Sequence, residues 1–360
     1  MSDVIKTIKS RARSVHKAIM KRQKPNLKFP IRSLANVRYD TKSGYFQLGR
    51  KKKTRTLTYN TVKTFAQTLR MISSAKELIE TDEFATKREM YYNSKNWDDA
   101  RFEEQVESDT VMDDVEALFE VNREQLKFVP EERGGSVAGR LVVIDKDPRT
   151  GEQIKIDCTR MGSGAWSVPI DVEELGFETK AKFILAIETG GMFQRLVKHN
   201  FWDDYNCILV ELMGVPTRAT RRFIRRLSDY KKIPVYAFVD GDPYGFMNIY
   251  RTLKVGSGNA AHINEYFCVP KARFLGVTPQ DVVDYKLPTH PLKDVDIKRA
   301  KDALKNDPFV IHHKRWQHAL ELMLEQGVRA EQQAFAKHGL NYVLETYLPE
   351  KLKNPKQFLP

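Results

Sequence analysis

A chain of 360 residues, 41% hydrophobic and 30% charged, has the composition of an ordinary globular protein of about two domains, neither disordered nor fibrous. No apolar run approaches the roughly 18 residues that span a bilayer, and a first segment bearing Lys6, Lys9, Arg11 and Arg13 lacks the apolar centre of a signal peptide. No membrane partner and an intracellular location are therefore expected. Three well-separated cysteines, Cys158, Cys207 and Cys268, without CxxC spacing, argue against a disulfide framework or a zinc site.

The net charge of +13 is unevenly placed. Residues 1–60 hold 17 Lys and Arg against Asp3 and Asp40 alone, so all the net basicity lies in the first sixth of the chain. Such a basic arm commonly meets phosphate, although a solvated tail or a dock for an acidic protein has the same appearance. Beyond it, Val62, Phe65, Leu69, Ile72, Ala75 and Ile79 recur in steps of three or four, which predicts an amphipathic helix. Thr86 and Glu89 have the spacing of a capping box opening a second helix from Met90 to about Trp97. Helix, turn and capped helix form the pattern of a helix-turn-helix. Residues 98–124 carry eleven acids, with Val111, Val115 and Leu118 at helical spacing, and predict a helix that faces solvent or a protein neighbour. A break at Pro130–Gly135, the apolar run Leu141–Ile144 and a turn at Pro148–Gly151 predict a strand pair that would form a wing beside those helices.

From about residue 180 the pattern alternates. Phe183–Ile187, Cys207–Val210 and Val235–Val239 read as strands, each followed by a helical stretch, the last opened by Pro243. This rhythm predicts parallel strands with crossover helices, an α/β domain. From Trp316 onward the tail reads as helices.

Three constellations could carry chemistry. Glu188 directly follows the first of these strands, and Asp240 and Asp242 follow the third, where an open parallel sheet collects functional groups. Three carboxylates together repel unless a cation sits among them, and a set of hard oxygens without His or Cys favours Mg²⁺. The plainer alternative is a polar turn and a lone surface acid. On the capped helix, Arg88 shares a face with Tyr91 and Tyr92; a tyrosine hydroxyl can serve as nucleophile and a guanidinium can hold a phosphate. Periodicity does not separate the two tyrosines, and two tyrosines in the core or against DNA would give the same pattern. Finally, Arg218, Arg221, Arg222, Arg225 and Arg226 lie around one helix, whose start and side chains suit phosphate, although an exposed basic helix reads the same way. There is no GxxxxGK[ST] loop and no GxGxxG after a strand, so the chain is not expected to hydrolyse ATP by itself.

Taken together, Lys87-Arg88-Glu89-Met90-Tyr91-Tyr92, Gly139-Arg140-Leu141, Glu188-Thr189-Gly190-Gly191-Met192-Phe193, Val239-Asp240-Gly241-Asp242-Pro243-Tyr244-Gly245 and Gly327-Val328-Arg329-Ala330-Glu331-Gln332-Gln333 resemble the A-subunit family of DNA topoisomerase VI, type IIB enzymes related to the eukaryotic transesterase that makes meiotic double-strand breaks. The resemblance runs from about residue 60 to the end. It implies a mixed α/β and α+β multidomain fold: a basic N-terminal arm (1–60), a winged-helix domain of the catabolite-activator type (61–150), and a Toprim domain with a mostly parallel sheet and C-terminal helices (151–360). It implies Tyr92 as nucleophile with Arg88 as its helper, Glu188 as ligand or general acid/base, and Glu188, Asp240 and Asp242 around Mg²⁺. Lys87, Arg218, Arg221 and Arg222 are candidate DNA contacts. The implied activity is a transient double-strand break through a 5′-phosphotyrosyl link, resealed after strand passage, which relaxes supercoils and decatenates DNA. The implied partners are double-stranded DNA, a second copy of the chain, and an ATPase B subunit in an A2B2 heterotetramer that supplies ATP use; the implied setting is the archaeal cytoplasm, at the nucleoid. Two other readings use the same residues differently: a Toprim nuclease or primase without a tyrosine nucleophile, and a non-catalytic winged-helix DNA-binding protein.

Overall fold

The computed structural model describes residues 2–130 and 134–360, so part of the break expected at Pro130–Gly135 lies outside the described residues. The chain divides into two compact units, one comprising residues 1–38, 47–132 and 258–263, the other residues 39–46, 133–257 and 264–360.

In the first unit, α1 (Ser2–Met20) is followed by two antiparallel strands, β1 (Asn26–Pro30) and β2 (Lys52–Thr56), and then by α2 (Val62–Thr81), α3 (Lys87–Asn93) and α4 (Gln105–Phe119). The helical periodicity from Val62 is realised in α2, whose Phe65, Met71, Ile72, Ala75 and Ile79 are buried. The segment expected to be a basic arm is instead folded. Ile8 and Val15 of α1 and Leu27 and Phe29 of β1 join the same core as α2 and α4, and each such buried side chain contributes about 1.5–3 kcal/mol.

The acidic helix is corrected by the same fact. α4 buries Val111, Met112, Val115 and Leu118, and also Asp114 and Glu116. Asp114, 1% exposed, accepts from Arg32 at 3.1 Å and Arg55 at 2.8 Å and pairs with Lys53 at 3.4 Å, while Asp113 accepts from Arg32 and Arg123. Basic residues of the first 60 thus neutralise the acids of α4. Composition registered the two charge blocks separately because a pairing across some 60 to 80 residues has no local signature. His262, returning to this unit from far along the chain, lies 3.5 Å from Glu116, both nearly fully buried.

The second unit is built on a six-stranded sheet. Its elements include, in chain order, β3 (Ser136–Gly139), β4 (Val142–Lys146), β5 (Gln153–Asp157), β6 (Trp166–Ser167), β7 (Gly176–Glu178), β8 (Phe183–Ile187), α5 (Gly190–Lys198), β9 (Cys207–Glu211), α6 (Arg218–Lys231), β10 (Val235–Phe238), β11 (Arg273–Gly276), α7 (Pro279–Asp284) and α8 (Lys314–Gln326). Strands run in the order β6-β3-β9-β8-β10-β11, with β9, β8, β10 and β11 parallel and β3 and β6 antiparallel at one edge. The alternation read from residue 180 is this parallel block. All five residues of β8 are buried, as a strand covered on both faces requires.

The strand pair expected as a wing does form, as β4 with β5, but joins β7 in a three-stranded antiparallel sheet within the second unit. The boundary expected at residue 150 therefore falls inside this hairpin. The expected tail helix is α8, with Trp316, Leu320 and Met323 buried. All three cysteines are free and buried, and burial pushes the thiols of Cys158 and Cys268 up to about 12.

Candidate active site

The tyrosine helix is fixed first by its cap. The Thr86 amide donates to Glu89 Oε2 at 2.7 Å and the Glu89 amide to Thr86 Oγ1 at 3.1 Å, the reciprocal pair read from the spacing. Met90 is buried and anchors the inward face of α3. That orientation separates the two tyrosines. Tyr91 is half-buried, its hydroxyl donates to the Glu103 carbonyl at 2.9 Å, and the Lys95 ammonium lies 4.3 Å from its ring centre. Tyr92 is 57% exposed, and its hydroxyl makes no hydrogen bond among the described residues. Its ring packs 5.2 Å from that of Tyr91, which limits its swing. Arg88 is exposed one turn earlier on the same helix. Lys87, by contrast, pairs with Asp109 of α4 at 2.5 Å. The arrangement presents one phenol and one guanidinium outward and holds their neighbours down.

The acids stand at the carboxyl ends of adjacent strands. Glu188 follows β8, and its amide donates to the Phe238 carbonyl at 3.0 Å. Its Oε2 accepts from the Asp240 amide at 2.8 Å, which ties it to the turn after β10. Asp240 Oδ1 accepts from the Gln332 amide at 2.8 Å, and Asp242 Oδ1 from the Gly245 amide at 2.6 Å. Each carboxylate is thus oriented by a backbone N–H. Gly241 sits where a side chain would meet the Val277 carbonyl at 2.9 Å and the Ala330 carbonyl at 3.2 Å, so the turn closes directly against the segment at Ala330. Pro243 then opens the helix that follows, as expected.

Electrostatics agree with this placement. Burial, with the charges of Asp240, Asp242 and Glu331 adding to it, pushes the Glu188 carboxyl up to about 8. Burial pushes Asp240 up to about 6, with Asp242 and Glu331 adding, and raises Asp242, with Asp296 adding. Carboxyls that raise one another, with oxygen as the only donor type, suit a hard dication such as Mg²⁺. Among the described residues, no three or more His, Cys, Asp or Glu side chains are drawn together in an arrangement that could hold a metal ion. The acids sense one another's charge without closing into a cage.

Gln332 and Thr189 were not singled out by any chemical pattern in the sequence. Gln332, fully buried, donates from Nε2 to the Phe238 carbonyl at 2.7 Å and accepts from Thr189 at 3.2 Å, while its amide holds Asp240. The run 327–333 that carried part of the resemblance is therefore the segment that braces the acids.

The arginines of α6 are placed differently from the expectation. Arg222 makes a two-pronged pair with Glu173 at 2.5 and 2.8 Å and donates to the Tyr266 carbonyl; Arg225 reaches Asp229 and the carbonyls of Glu265 and Cys268; Arg226 donates to the carbonyls of Val172 and Leu175. Arg221 is buried and, like Arg218, packs over the Phe267 ring. This engagement favours a packing role for α6 over the phosphate contact read from its charge. Tyr92 and Arg88 belong to the first unit, and the acids and α6 to the second.

Comparison with known proteins divides the chain into three consecutive segments. Residues 63–128 match the family described as type IIB DNA topoisomerase, residues 131–181 the all-beta domain in DNA topoisomerase VI alpha subunit, and residues 183–352 the Toprim domain of the topoisomerase 6 A-subunit/Spo11 family. The chain is 56% identical to the A subunit of type 2 DNA topoisomerase 6 from Methanocaldococcus jannaschii over 349 residues, 97% of this chain and 94% of that one. It is 39% identical to the proteins of the same name from Methanothermobacter thermautotrophicus and Archaeoglobus fulgidus, covering 91% and 92% of this chain and 91% of each of them.

Proposed function

Since this chain belongs to the A-subunit/Spo11 family of topoisomerase 6 and is a type IIB DNA topoisomerase subunit, we propose that Tyr92 is the nucleophile with which it opens a DNA strand. Family membership carries DNA as substrate and a partner B subunit. The reaction is a transesterification. The Tyr92 phenol oxygen bonds to a backbone phosphorus, the bond from phosphorus to the 3′ oxygen breaks, the phenol proton passes to a base, and the 3′ oxygen leaves as a hydroxyl after gaining a proton. A phosphodiester is exchanged for a phosphotyrosyl diester, so resealing by the 3′ hydroxyl needs no outside energy. Arg88, one helical turn away, neutralises the phosphate under attack.

The observation that best supports this reading is the placement of Glu188, Asp240 and Asp242 just beyond the ends of two adjacent strands, tied by the Asp240 amide to Glu188 Oε2, with carboxyls raised by burial and, in part, by one another. Glu188, lifted to about 8 with no cation among the acids, serves either as the acid that protonates the departing 3′ oxygen or, once ionised, as a ligand. Asp240 and Asp242, with Glu188 in its ionised form, are the residues that would hold Mg²⁺, which when bound supplies positive charge to the phosphate and the leaving oxygen. In this proposal two copies of the chain cut the two strands, the tyrosine of one protomer working at the acids of the other. An ATPase B subunit completes an A2B2 assembly and hydrolyses the ATP that drives strand passage, relaxation and decatenation. The nuclease or primase reading requires no protein–DNA bond.

The test combines the protein with its B subunit, Mg²⁺, ATP and supercoiled plasmid, denatures the mixture and maps any peptide linked to DNA. A peptide joined through Tyr92 to a 5′ end is the expected result. DNA cut without a protein adduct, or an adduct at Tyr91, overturns it.

A further inference from the structure

The second unit carries a second basic feature, at the end of its sheet opposite the acids. An open cleft of about 760 Å³ is lined by Arg140, Asp157, Thr159, Lys180, Asn206 and Lys231, among others. Lys180 and Lys182 precede β8, Asn206 precedes β9, and Tyr230 and Lys231 close α6 just before β10. All of these lie at the amino-terminal edge of parallel strands whose carboxyl edge bears Glu188, Asp240 and Asp242. Five residues of β8 separate the two edges, about 16 Å at strand rise. The cleft is therefore not an extension of the acid site.

The charge here is of a kind that the arginines of α6 lack. Lys180, Lys182 and Lys231 are exposed, and among the described residues none of them pairs with a carboxylate. The acids of the cleft are already answered: Glu178 by Lys155 at 2.7 Å, and Asp157 by the Thr159 hydroxyl at 2.7 Å, the Thr159 amide at 2.9 Å and Arg160 at 3.5 Å. The base of the cleft is held by main chain. The Lys182 amide donates to the Asn206 carbonyl at 2.8 Å, Asn206 Nδ2 to the Lys180 carbonyl at 3.2 Å, and Thr179 Oγ1 to the Arg140 carbonyl. Tyr230, also on the cleft wall, is 56% exposed, with the Lys231 ammonium 4.7 Å from its ring centre. Lys180 and Lys231 on the cleft wall, Lys182 beside it at the same strand edge, the Tyr230 hydroxyl and the second N–H of the Asn206 amide form a donor set that meets phosphate oxygens without reading sequence.

We propose that this cleft is a second DNA-binding site, holding backbone phosphates of duplex outside the segment being cut. The inference rests on the reading of the protein as a DNA-cutting subunit. Two sources offer the same phosphates, a flanking arm of the cut duplex and a second duplex. An acidic protein segment on the cleft would leave DNA binding untouched.

The test uses the variant K180Q/K182Q/K231Q in the complete complex with its B subunit. Lys232 is left in place because it ends α6 with φ +54°. Three DNAs are compared across a salt series: a short duplex that covers only the cleavage site, a long linear duplex, and a crossing of two duplexes. The variant is expected to cleave the short duplex like the unaltered protein, which also shows that it folds. On the long duplex or the crossing its affinity falls at least tenfold, and the slope of log affinity against log salt is shallower by roughly two to three, about 0.9 for each phosphate no longer neutralised. A defect on long linear DNA assigns the cleft to the flanking arm, and one confined to the crossing assigns it to the second duplex; either supports the proposal. Unchanged affinity and slope on all three DNAs, or loss of short-duplex cleavage, overturns it. If the unaltered complex neither binds nor cleaves DNA, it is the underlying reading that fails.

Discussion

The Asp240 amide donates to Glu188 Oε2 at 2.8 Å, so the acid at the end of one strand is aimed by the main chain at the end of its neighbour. Parallel register brings this about, because Ile187 of β8 lies opposite Phe238 of β10 and the next residues of each strand turn out together. The relative positions of the two acids follow from the sheet, not from a flexible loop.

Within that frame, Asp242→Asn separates charge from geometry. The amide oxygen of Asn still accepts from Gly245, but the negative charge is gone. Mg²⁺-dependent cleavage is expected to fall roughly 100-fold or more, because a bound cation supplies several kcal/mol of charge stabilisation. A Mg²⁺ titration of cleavage measures it; an unchanged curve would remove Asp242 from the metal role.

Tyr91 and Tyr92 should part cleanly. Tyr92→Phe abolishes the covalent DNA adduct and leaves thermal stability unaltered, since its hydroxyl holds nothing within the described residues. Tyr91→Phe keeps cleavage and costs about 0.5–1.5 kcal/mol by losing its bond to the Glu103 carbonyl. Denaturing gels and melting curves on the two variants check both halves.

Gln332→Ala removes the side chain that clamps the Asp240 brace to Phe238 and Thr189. Cleavage is expected to drop about 10–100-fold, as for other groups that orient a metal ligand, with more Mg²⁺ required and DNA affinity unchanged. Weakened DNA binding with an unaltered Mg²⁺ requirement would contradict this.

Asp114 is the keystone of the first unit. Asp114→Ala leaves Arg55, its side chain only 16% exposed, without a carboxylate, and Arg32, 15% exposed, with Asp113 alone. A loss of about 3–5 kcal/mol in chemical denaturation is expected, the usual cost of breaking a buried ion cluster from one side. The exposed pair Lys6–Asp3 should contribute almost nothing by the same measurement.

His313 sets a pH dependence. Burial, together with the charges of His312 and Lys254, lowers its pKa to about 4, and its Nδ1 is buried without a hydrogen-bond partner. Between about 4 and the ordinary 6.5 the unfolded chain binds a proton that the folded chain does not. The contribution of His313 is therefore complete above about 6.5 and is lost as pH falls toward about 4, while the raised carboxyls of Glu188 and Asp240 act in the opposite direction. The difference in melting temperature between the unaltered chain and His313→Phe isolates the histidine and should change across that range.

How much of this was legible in the sequence depended on distance along the chain. The cap of α3, the helix α2 and the alternation from Phe183 to Val239 are local patterns that the fold keeps, although α3 runs over Lys87–Asn93, earlier than the expected Met90 to about Trp97, because its first turn follows directly on the Thr86 cap. The acids were legible because strand ends can be counted. What escaped were long-range pairings: basic residues among the first 60 answering Asp114, the arginines of α6 turned to Glu173 and to main-chain carbonyls, and Gln332 reaching back some 90 residues to Asp240. Charge composition records how many groups there are, not which ones neutralise each other. Exposure did what periodicity could not in separating Tyr92 from Tyr91.

Residues 258–263 complete the first unit although more than a hundred residues of the second precede them, and residues 39–46 complete the second from within the first. No single cut of the polypeptide releases either unit whole. A fragment ending near residue 130 would leave Glu116 without His262 and open a seam beside a buried carboxylate. The two units are interleaved along the chain, so neither corresponds to one contiguous stretch of sequence.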